Sequence, residues 1–140
     1  MANLATPELM IDTDIIVDYL RRRSRTLEIA LSQFACGMTA ITWYELEAIP
    51  SHSGRQMELL RRLATVMPVL PFDIVAAAES AEIWRELRAS GMGIGLPDTL
   101  IAGVCRANGL PLLTKNEAHF SRVDGLRVIA PRILDRFSAE

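Results

Sequence analysis

Acidic and amide side chains occur at five points of the sequence where an apolar segment ends or an amphipathic one begins. They are Asp12, Asp14, Glu45, Asp98 and Asn116. Carboxylates that crowd within a few ångströms repel one another, and they stay ionised together only beside a cation. Oxygen ligands without Cys or His suit a hard ion, Mg²⁺ or Mn²⁺, and not zinc. If the fold brings these residues together, they predict a site for such an ion.

The expected ion defines the chemistry that the site could perform. A hard cation held by a few carboxylates keeps several waters and completes its shell with phosphate oxygens. It can lower the pKa of a bound water and stabilise the negative charge that develops at phosphorus. The residue types therefore favour hydrolysis of a phosphodiester, provided that the five side chains converge.

The elements that would position them alternate along the whole chain. Amphipathic segments typical of helices separate five short apolar segments, which are predicted strands at 9–11, 38–41, 66–70, 110–114 and 126–129. Helical crossovers of ten or more residues require a parallel sheet covered on both faces. The predicted fold class is therefore α/β, with a parallel sheet of four to five strands. Because the carboxyl ends of parallel strands share one edge, the five polar residues are predicted to meet there.

Local signals predict where several of these elements begin and end. Thr13 or Asp14 is predicted to cap the first helix and Thr42 the third, because Thr and Asp side chains accept hydrogen bonds from helix-start N–H groups. Gly37 is predicted to end the second helix. Pro68 predicts that the third strand lies at an edge of the sheet, since proline cannot donate to a neighbouring strand.

Length and composition describe a chain that can bury a hydrophobic core. The 140 residues are 50% hydrophobic and 23% charged, and we expect a single domain over residues 1–140. The net charge of −2 argues against binding of nucleic acid through overall positive charge, but it allows a local basic patch. Cys36 and Cys105 have no ligand-like neighbours, so two buried thiols in a reducing cytosol are expected.

The sequence also lacks signals for a membrane. No apolar run reaches the ~18–20 residues that span a bilayer. Residues 1–8 are predicted to be a loose leader, without the basic and apolar regions of a signal peptide. We therefore expect a soluble cytoplasmic protein that has no membrane partner.

Each polar residue also has a plainer interpretation. The acids could be helix caps or solvated residues of a first helical turn, and Asn116 could belong to a turn. The arginines of residues 21–25 could form a solvated helix end that suits the helix dipole, or a contact for an anionic polymer or an acidic partner. The occurrence of all the acids at one predicted edge favours a site over coincidence.

Four segments, in order, resemble the PIN-domain ribonucleases, specifically toxins of the VapC-like type. They read MIDTDIIVDYL at 10–20, ITWYEL at 41–46, LPDTLIAG at 96–103 and LLTKNEAHF at 112–120. The resemblance covers roughly residues 9 to 130. It implies a PIN-like α/β/α fold whose negatively charged pocket binds Mg²⁺ or Mn²⁺ and cleaves RNA.

The resemblance assigns site residues one at a time. Asp12, Glu45 and Asp98 match the three most regular acids of the family. Asp14 falls where the family often has a polar residue that helps at the metal. The implied metal ligands are therefore Asp12, Asp98, Glu45 and Asp14.

The fourth corner of the site departs from the family pattern. Asn116 falls where a fourth acid is common, although asparagine is a frequent variant. His119 stands where many members have another aspartate. The two departures leave one well-made ion site and make a permanent second one doubtful.

The resemblance implies a mechanism as a hypothesis. Asp12 and Asp98 anchor the ion, and Glu45 orients the attacking water as general base. Asn116 and Thr114 position ligands by hydrogen bonding. Arginines of residues 21–25 grip the RNA backbone.

The same resemblance implies protein partners. VapC-like toxins pair with a small antitoxin, whose tail enters the active-site groove and often offers an arginine to the acidic pocket. They commonly form homodimers. The apolar positions of 27–34 and 57–63 could form the groove for the antitoxin, although core packing is the default expectation for them.

Two other functions use the same opening motif. In a haloacid-dehalogenase-like phosphatase, Asp12 would be the nucleophile and Asp14 the acid/base, but Ile15 and Ile16 replace the expected Gly-Thr. In a non-catalytic receiver-like interaction domain, the acidic pocket would bind a metal or a phosphoryl group, which leaves the Glu45 segment unexplained.

Overall fold

The computed structural model describes residues 4–138; the first three residues of the predicted leader and the last two of the chain lie outside that range. Within it, five strands alternate with eight helices. The strands are β1 (Leu9–Ile11), β2 (Cys36–Thr39), β3 (Val69–Leu70), β4 (Leu112–Leu113) and β5 (Val128–Ile129). The helices are α1 (Thr13–Leu20), α2 (Thr26–Gln33), α3 (Ala40–Glu47), α4 (Gly54–Leu63), α5 (Ile74–Ala89), α6 (Leu96–Ala107), α7 (Glu117–Phe120) and α8 (Pro131–Ser138).

The strands form one parallel sheet in the order β3-β2-β1-β4-β5. This confirms the predicted α/β class and places β3 at an edge, as Pro68 indicates. The chain proceeds outward from β1 to β3 and then crosses back, so that β4 and β5 lie on the other side of β1. The strand order therefore reverses between β1 and β4, which is where open α/β sheets bind ligands.

Both faces of the sheet are covered by helices. Successive side chains of a strand point to opposite faces, so Leu9 and Ile11 belong to one hydrophobic core and Met10 belongs to the other. The first core contains residues of α1 to α4, and the second contains residues of α5 and α6. All three residues of β1 are buried, and burial of each such side chain contributes about 1.5–3 kcal/mol. The sheet is thus anchored at its centre, next to the point of reversal.

The caps of α1 and α3 lie upstream of the predicted ones. Asp12, and not Thr13 or Asp14, caps α1, and its side chain accepts a hydrogen bond from the Thr13 N–H. Thr39, and not Thr42, caps α3. In both cases the helix begins as soon as the strand has ended, so the cap is the last extended residue of the connection.

Two other local predictions are wrong. Gly37 lies inside β2 and does not end α2. Glycine is needed at this position because a Cβ would lie 3.1 Å from Pro7 Cβ and from the Pro68 carbonyl oxygen. The strand accordingly covers Cys36–Thr39 and not 38–41. The four-residue helix α7 was not predicted, since one turn is too short to show a helical period.

The remaining general expectations concern the thiols and the membrane. Cys36 and Cys105 are both buried and free, as predicted. Burial, with a contribution from Glu8, raises the pKa of the Cys36 thiol to about 12, so this thiol is inert at neutral pH. Among residues 4–138 no helix has the length and apolar character needed to cross a bilayer.

Helices α5 and α6 pack closely against each other at Gly103. A Cβ on Gly103 would overlap Ser80 Oγ and would lie 3.0 Å from the Ala76 carbonyl oxygen. The Ser80 hydroxyl is itself buried, without a hydrogen-bond partner among the described residues. Only glycine therefore permits this helix spacing, and the spacing fixes α6, whose first turn carries Asp98.

The methyl added by Gly103→Ala overpacks the α5–α6 contact at a cost of about 2–3 kcal/mol, and Ala regains roughly 1 kcal/mol over Gly in a helix interior. We therefore expect a net destabilisation of about 1–2 kcal/mol. Thermal denaturation measures the effect.

Gly54→Ala is the matched control, since Gly54 begins α4 and a Cβ added there would have nothing within 4 Å. It should leave Tm unchanged or slightly raised. Adding Ser80→Gly to Gly103→Ala should recover part of the loss. A Gly103→Ala protein as stable as the wild type would contradict the close packing.

Candidate active site

A pocket of about 370 Å³ opens at the carboxyl ends of β1 and β4, where the strand order reverses. All five residues singled out in the sequence line it. The lining consists of Asp12, Thr13, Asp14, Val17, Asp18, Arg23, Glu45, Asp98, Lys115 and Asn116. The structure therefore brings the predicted residues together, while their roles stay predictions.

Asp12 is the residue at which β1 passes into α1. Its Oδ1 accepts a hydrogen bond from the Thr13 N–H at 2.8 Å, and its Oδ2 accepts one from the Thr114 hydroxyl at 2.6 Å. Asp12 is only 5% exposed. Burial, with the nearby charges of Asp14 and Asp98, raises the pKa of Asp12 to about 7 in spite of the two hydrogen bonds. One carboxylate thus serves both as the helix cap and as part of the pocket.

Glu45 reaches the pocket from α3. The Thr13 hydroxyl donates a hydrogen bond to Glu45 Oε1 at 2.6 Å. The same hydroxyl lies 3.0 Å from that of Thr42, which is buried in α3. The Thr13 hydroxyl therefore links the start of α1 to α3 and orients the Glu45 carboxylate.

Asp98 forms another corner of the pocket with Asn116 and His119. Asn116 Nδ2 donates to Asp98 Oδ2 at 3.3 Å and lies 3.0 Å from His119 Nδ1. His119 Nδ1 is 3.8 Å from the same oxygen of Asp98. Burial and the charge of Glu45 raise the pKa of Asp98, and His119 and Asn116 oppose this rise. Asp98 therefore has hydrogen-bonding groups on one side and an acid on the other.

Asp14 and Asp18 lie one helical turn apart on α1, beside Lys115. The Lys115 ammonium donates to Asp18 Oδ2 at 2.6 Å. Burial raises the pKa of Asp14, while the backbone N–H and the positive charge of Lys115 oppose that rise. Asp14 Oδ1 is buried and has no hydrogen-bond partner within residues 4–138. This acceptor is therefore unsatisfied.

The donor set suits a hard cation. The pKa values of Asp12, Asp14 and Asp98 are raised because these acids are buried and close to other acids, so their charged forms need a compensating positive charge. An unpaired buried acceptor such as Asp14 Oδ1 is costly unless a ligand engages it. Within the described residues, no three His, Cys, Asp or Glu side chains are already grouped as a metal cluster. The pocket lining nevertheless consists mainly of residues with oxygen donors, the ligand type that suits an ion that keeps several waters.

The sequence did not single out Thr13, Asp18 or Arg23 as parts of this pocket. Asp18 carries a usable signal, because a residue four positions after Asp14 lies on the same face of α1. Thr13 carries none, since its contact with Glu45 joins positions 32 apart in the chain. The ion pair of Lys115 with Asp18 spans 97 positions, so it carries no local signal either.

Comparison with known proteins gives a consistent family match. A family model described as the PIN domain matches residues 9–126. The tRNA(fMet)-specific endonuclease VapC of Shigella flexneri is 29% identical over 125 residues, covering 86% of this chain and 95% of that protein. The VapC ribonuclease Y4jK of Sinorhizobium fredii is 32% identical over 103 residues, covering 67% of this chain and 73% of that protein.

Solved structures share the fold over nearly its whole length. The chain matches VapBC2 from Rickettsia felis, solved with a DNA fragment from the promoter, with a TM-score of 0.77 at 23% identity, over 87% of this chain and 97% of that one. It matches FitAcB from Neisseria gonorrhoeae with a TM-score of 0.76 at 25% identity, over 89% and 98% of the two chains. The parallel sheet around the pocket is therefore a known architecture.

Replacing Asp12 with Asn is expected to stabilise the metal-free protein, increasingly so at higher pH. The pKa of Asp12 rises from 3.8 to about 7 on folding, so the folded state binds more protons than the unfolded state between these values. The contribution of Asp12 to the free energy of unfolding therefore becomes less favourable as the pH rises through that interval. Asn cannot ionise and still accepts from the Thr13 N–H. We expect a gain of about 1–3 kcal/mol at pH 8, or several degrees in Tm, and less at pH 5.

Melts in the presence of a chelator, at pH 5 and pH 8, measure the difference. Asp124→Asn is the control, because Asp124 is exposed and away from the pocket, and it should leave Tm unchanged at both pH values. If the stability difference between Asp12→Asn and the wild type did not change between pH 5 and pH 8, the pKa of Asp12 could not be raised.

Proposed function

Because the chain belongs to the PIN domain family, we propose that it is an endoribonuclease dependent on Mg²⁺ or Mn²⁺. The curated relatives named above carry the names of VapC ribonucleases or endonucleases. The observation that carries the proposal is the convergence of Asp12, Asp14, Glu45 and Asp98 in one pocket at the point where the strand order reverses. These four carboxylates come from three different helices or their caps, so local sequence requirements do not explain why they meet.

The two competing functions have less support. A phosphatase of the haloacid-dehalogenase type needs an Asp12 free to attack phosphorus, but this side chain is buried and both of its oxygens accept hydrogen bonds. A receiver-like interaction domain does not need Glu45, whereas the Thr13 hydroxyl holds that carboxylate in the pocket. Membership of the PIN domain family favours the nuclease over both.

RNA is the proposed substrate, and transfer RNA is the first substrate to test. The Shigella relative, 29% identical over 86% of this chain, is named a tRNA(fMet)-specific endonuclease. A pocket of about 370 Å³ is large enough to hold a backbone phosphate with its sugars. Cellular RNA as substrate implies that the protein acts in the cytoplasm.

We further propose that the chain is the toxin of a toxin–antitoxin pair. The solved structures with the same fold include VapBC assemblies. The carboxylates of the pocket would receive a guanidinium from the tail of a cognate antitoxin, since a bidentate arginine–carboxylate pair is strong. Of the apolar groove considered for 27–34 and 57–63, Leu27, Leu60 and Leu63 are buried in the first core and are not available to it.

A homodimer is part of the same proposal. Several large apolar side chains of α5 and of the start of α6 are exposed, with Ile74 at 83% and Leu96 at 58%. Trp84 and Phe72 border an apolar pocket on the same surface. Contiguous exposed apolar surface of this kind marks an interaction site.

The ion would be held by Asp12, Asp98, Glu45 and Asp14. When bound, Mg²⁺ or Mn²⁺ supplies the positive charge that offsets negative charge developing on the phosphate, and it makes water more acidic. Burial raises the pKa values of Asp12, Asp14 and Asp98, and the positive charge of a bound ion would favour their charged forms.

The side chains around these acids hold them in place. Thr114 donates to Asp12, which fixes the direction of the free lone pairs of that carboxylate. Thr13 donates to one oxygen of Glu45 and leaves the other to orient the attacking water as general base. Asn116 donates to Asp98. Asp12, Glu45 and Asp98 therefore enter the reaction already oriented, each by a hydrogen bond from another part of the chain.

The surroundings of the pocket favour one ion and not two. At the corner of Asp98, the neutral amide of Asn116 and the imidazole of His119 stand where a further carboxylate would be needed. Beside Asp14, the Lys115 ammonium supplies a built-in positive charge, held by Asp18. A second divalent ion would therefore have too few ligands at one side and a like charge at the other.

Replacing Asp98 with Asn is expected to abolish metal-dependent RNA cleavage, because Asn removes a charged ligand while keeping the size of the side chain. The Asp12→Asn variant should behave in the same way, with losses of at least about 100-fold in kcat. Cleavage of labelled transfer RNA and of single-stranded RNA in Mg²⁺ or Mn²⁺ measures this.

Asp124→Asn serves again as the exposed, charge-matched control and should cleave at the wild-type rate. Circular dichroism and Tm should show that all variants are folded. Full residual activity of either pocket variant would rule out the assigned metal ligands.

Mn²⁺ titration is expected to find one site per wild-type chain, measured by calorimetry or by the loss of the free-ion electron paramagnetic resonance signal. The double variant Asn116→Asp/His119→Asp should gain a second site, because it supplies two carboxylates at the neutral corner. Two sites of similar affinity in the wild type would contradict the single-ion proposal, and so would an unchanged count in the double variant.

A further inference from the structure

A second pocket lies beside the acidic pocket, which is the one formed by Asp12, Asp14, Glu45 and Asp98. This second pocket is lined largely by arginines. Its volume is about 500 Å³, and Tyr19 and Leu59 contribute apolar surface to it. Arg23 lines both this pocket and the acidic pocket, so the two adjoin at that residue. The cavity is named the arginine pocket after four of its residues, Arg22, Arg23, Arg25 and Arg55.

The positive charge of the arginine pocket is only partly balanced. Arg25 pairs with Glu28 at 3.5 Å, and both side chains are substantially exposed. Within the part of the chain that the structure describes, Arg22, Arg23 and Arg55 form no ion pair within 4.0 Å. Like charges that line one cavity repel each other, and a bound anion removes that repulsion.

Helix-end electrostatics do not explain this arrangement. Arg22 and Arg23 follow the carboxyl end of α1, where cations are favourable. Arg55, however, lies in the first turn of α4, and Arg25 is the N-cap of α2. Cations are unfavourable at both of these amino ends, and anions are favourable there. The arginines therefore meet from three elements in a place that favours a negatively charged ligand.

The backbone at Arg22 contributes to this convergence. Its φ is 56°, in the left-handed region that non-glycine residues rarely adopt, and it is the one such residue within 4–138. The chain turns sharply there, with hydrogen bonds from the Arg22 N–H to the Tyr19 carbonyl and from the Arg23 N–H to the Asp18 carbonyl. The turn allows two consecutive arginines to line the same pocket.

The size and walls of the arginine pocket fit a nucleotide better than a lone phosphate. A cavity of about 500 Å³ lies within the roughly 300–1,000 Å³ typical of sites for small organic ligands. Tyr19 supplies an aromatic ring on which a base can stack, and Leu59 supplies apolar contact. The guanidinium groups supply the contacts that phosphate prefers.

We propose that the arginine pocket binds a nucleotide of the RNA strand next to the phosphodiester held in the acidic pocket. Arg22 and Arg55 bind its phosphate, and Arg23 lies between the two sites. The proposal rests on the ribonuclease function proposed above. It also answers a physical difficulty of that function, because an acidic pocket in a chain of net charge −2 repels the RNA backbone unless a basic surface adjoins it.

The test uses the full-length Asp98→Asn variant, so that RNA binding is measured without cleavage. The probe is a fluorescein-labelled single-stranded RNA of mixed sequence, followed by anisotropy at increasing salt concentration. Adding Arg22→Gln and Arg55→Gln should weaken binding at least about tenfold. The slope of log K against log salt should fall by about 1.4, since each lost contact to single-stranded RNA removes about 0.7.

Arg61→Gln with Arg127→Gln is the matched control. Both arginines are exposed, lie outside the two pockets and form no ion pair among the described residues. The control pair removes the same net charge and should change binding less than about twofold. In the active background, the Arg22/Arg55 variant should raise KM for RNA with little change in kcat, because the lost contacts hold substrate and transition state equally.

Equal weakening by the two pairs would show a general charge effect and overturn the proposal. So would unchanged RNA affinity in the Arg22/Arg55 variant, including the case in which that variant instead loses an acidic protein partner. These outcomes differ from failure of the ribonuclease function, which would appear as an absence of metal-dependent cleavage by the wild type whatever the state of the arginine pocket.

Discussion

The hydrogen bond from Thr114 to Asp12 is the contact on which the acidic pocket depends. It joins residues 102 positions apart and closes the gap between the ends of β1 and β4. The register that allows it comes from the parallel pairing of Met10 with Leu112 and of Ile11 with Leu113. The Thr114 hydroxyl also accepts a hydrogen bond from the Asn116 N–H at 2.9 Å. One buried side chain thus sets the direction of Asp12 and the start of α7, which carries His119.

This geometry has a cost in stability. Asp12, Asp14 and Asp98 are carboxylates whose charged forms are disfavoured by burial, and the pKa of each is raised. They persist because the elements that carry them are held by apolar packing on both faces of the sheet, with β1 buried along its length. The apolar core therefore offsets the free-energy cost of the buried acids, as is common for functional sites that reduce stability.

The sequence predicted the parts of the fold that depend on local pattern. The apolar run before Asp12 and the edge position indicated by Pro68 both correspond to observed features. Boundaries were less accurate: Gly37 resembled a helix stop, whereas its place in β2 depends on contacts with Pro7 and Pro68 that local sequence does not show.

The same distinction applies to the candidate site. The acids could be named because carboxylates at the ends of predicted strands must share an edge of a parallel sheet. The contacts that orient them could not be named. Thr13 with Glu45 and Lys115 with Asp18 are pairs 32 and 97 positions apart, fixed only when α1 packs against α3 and beside the end of β4. Arg55 is missing from the predicted basic cluster for the same reason, since α4 brings it to residues 22–25 through tertiary packing.

The ion pair of Lys115 and Asp18 has a chemical consequence of another kind. Lys115 is the only lysine of the chain, so its side-chain amine is the only one that acylating reagents or lysine-modifying enzymes can find. About half of that side chain is exposed, and its ammonium lies at the rim of the acidic pocket. Acylation would neutralise it and leave Asp18 and Asp14 without their nearest cation. Side-chain amine chemistry on this protein is therefore confined to one residue, at the place where a lost positive charge alters the pocket.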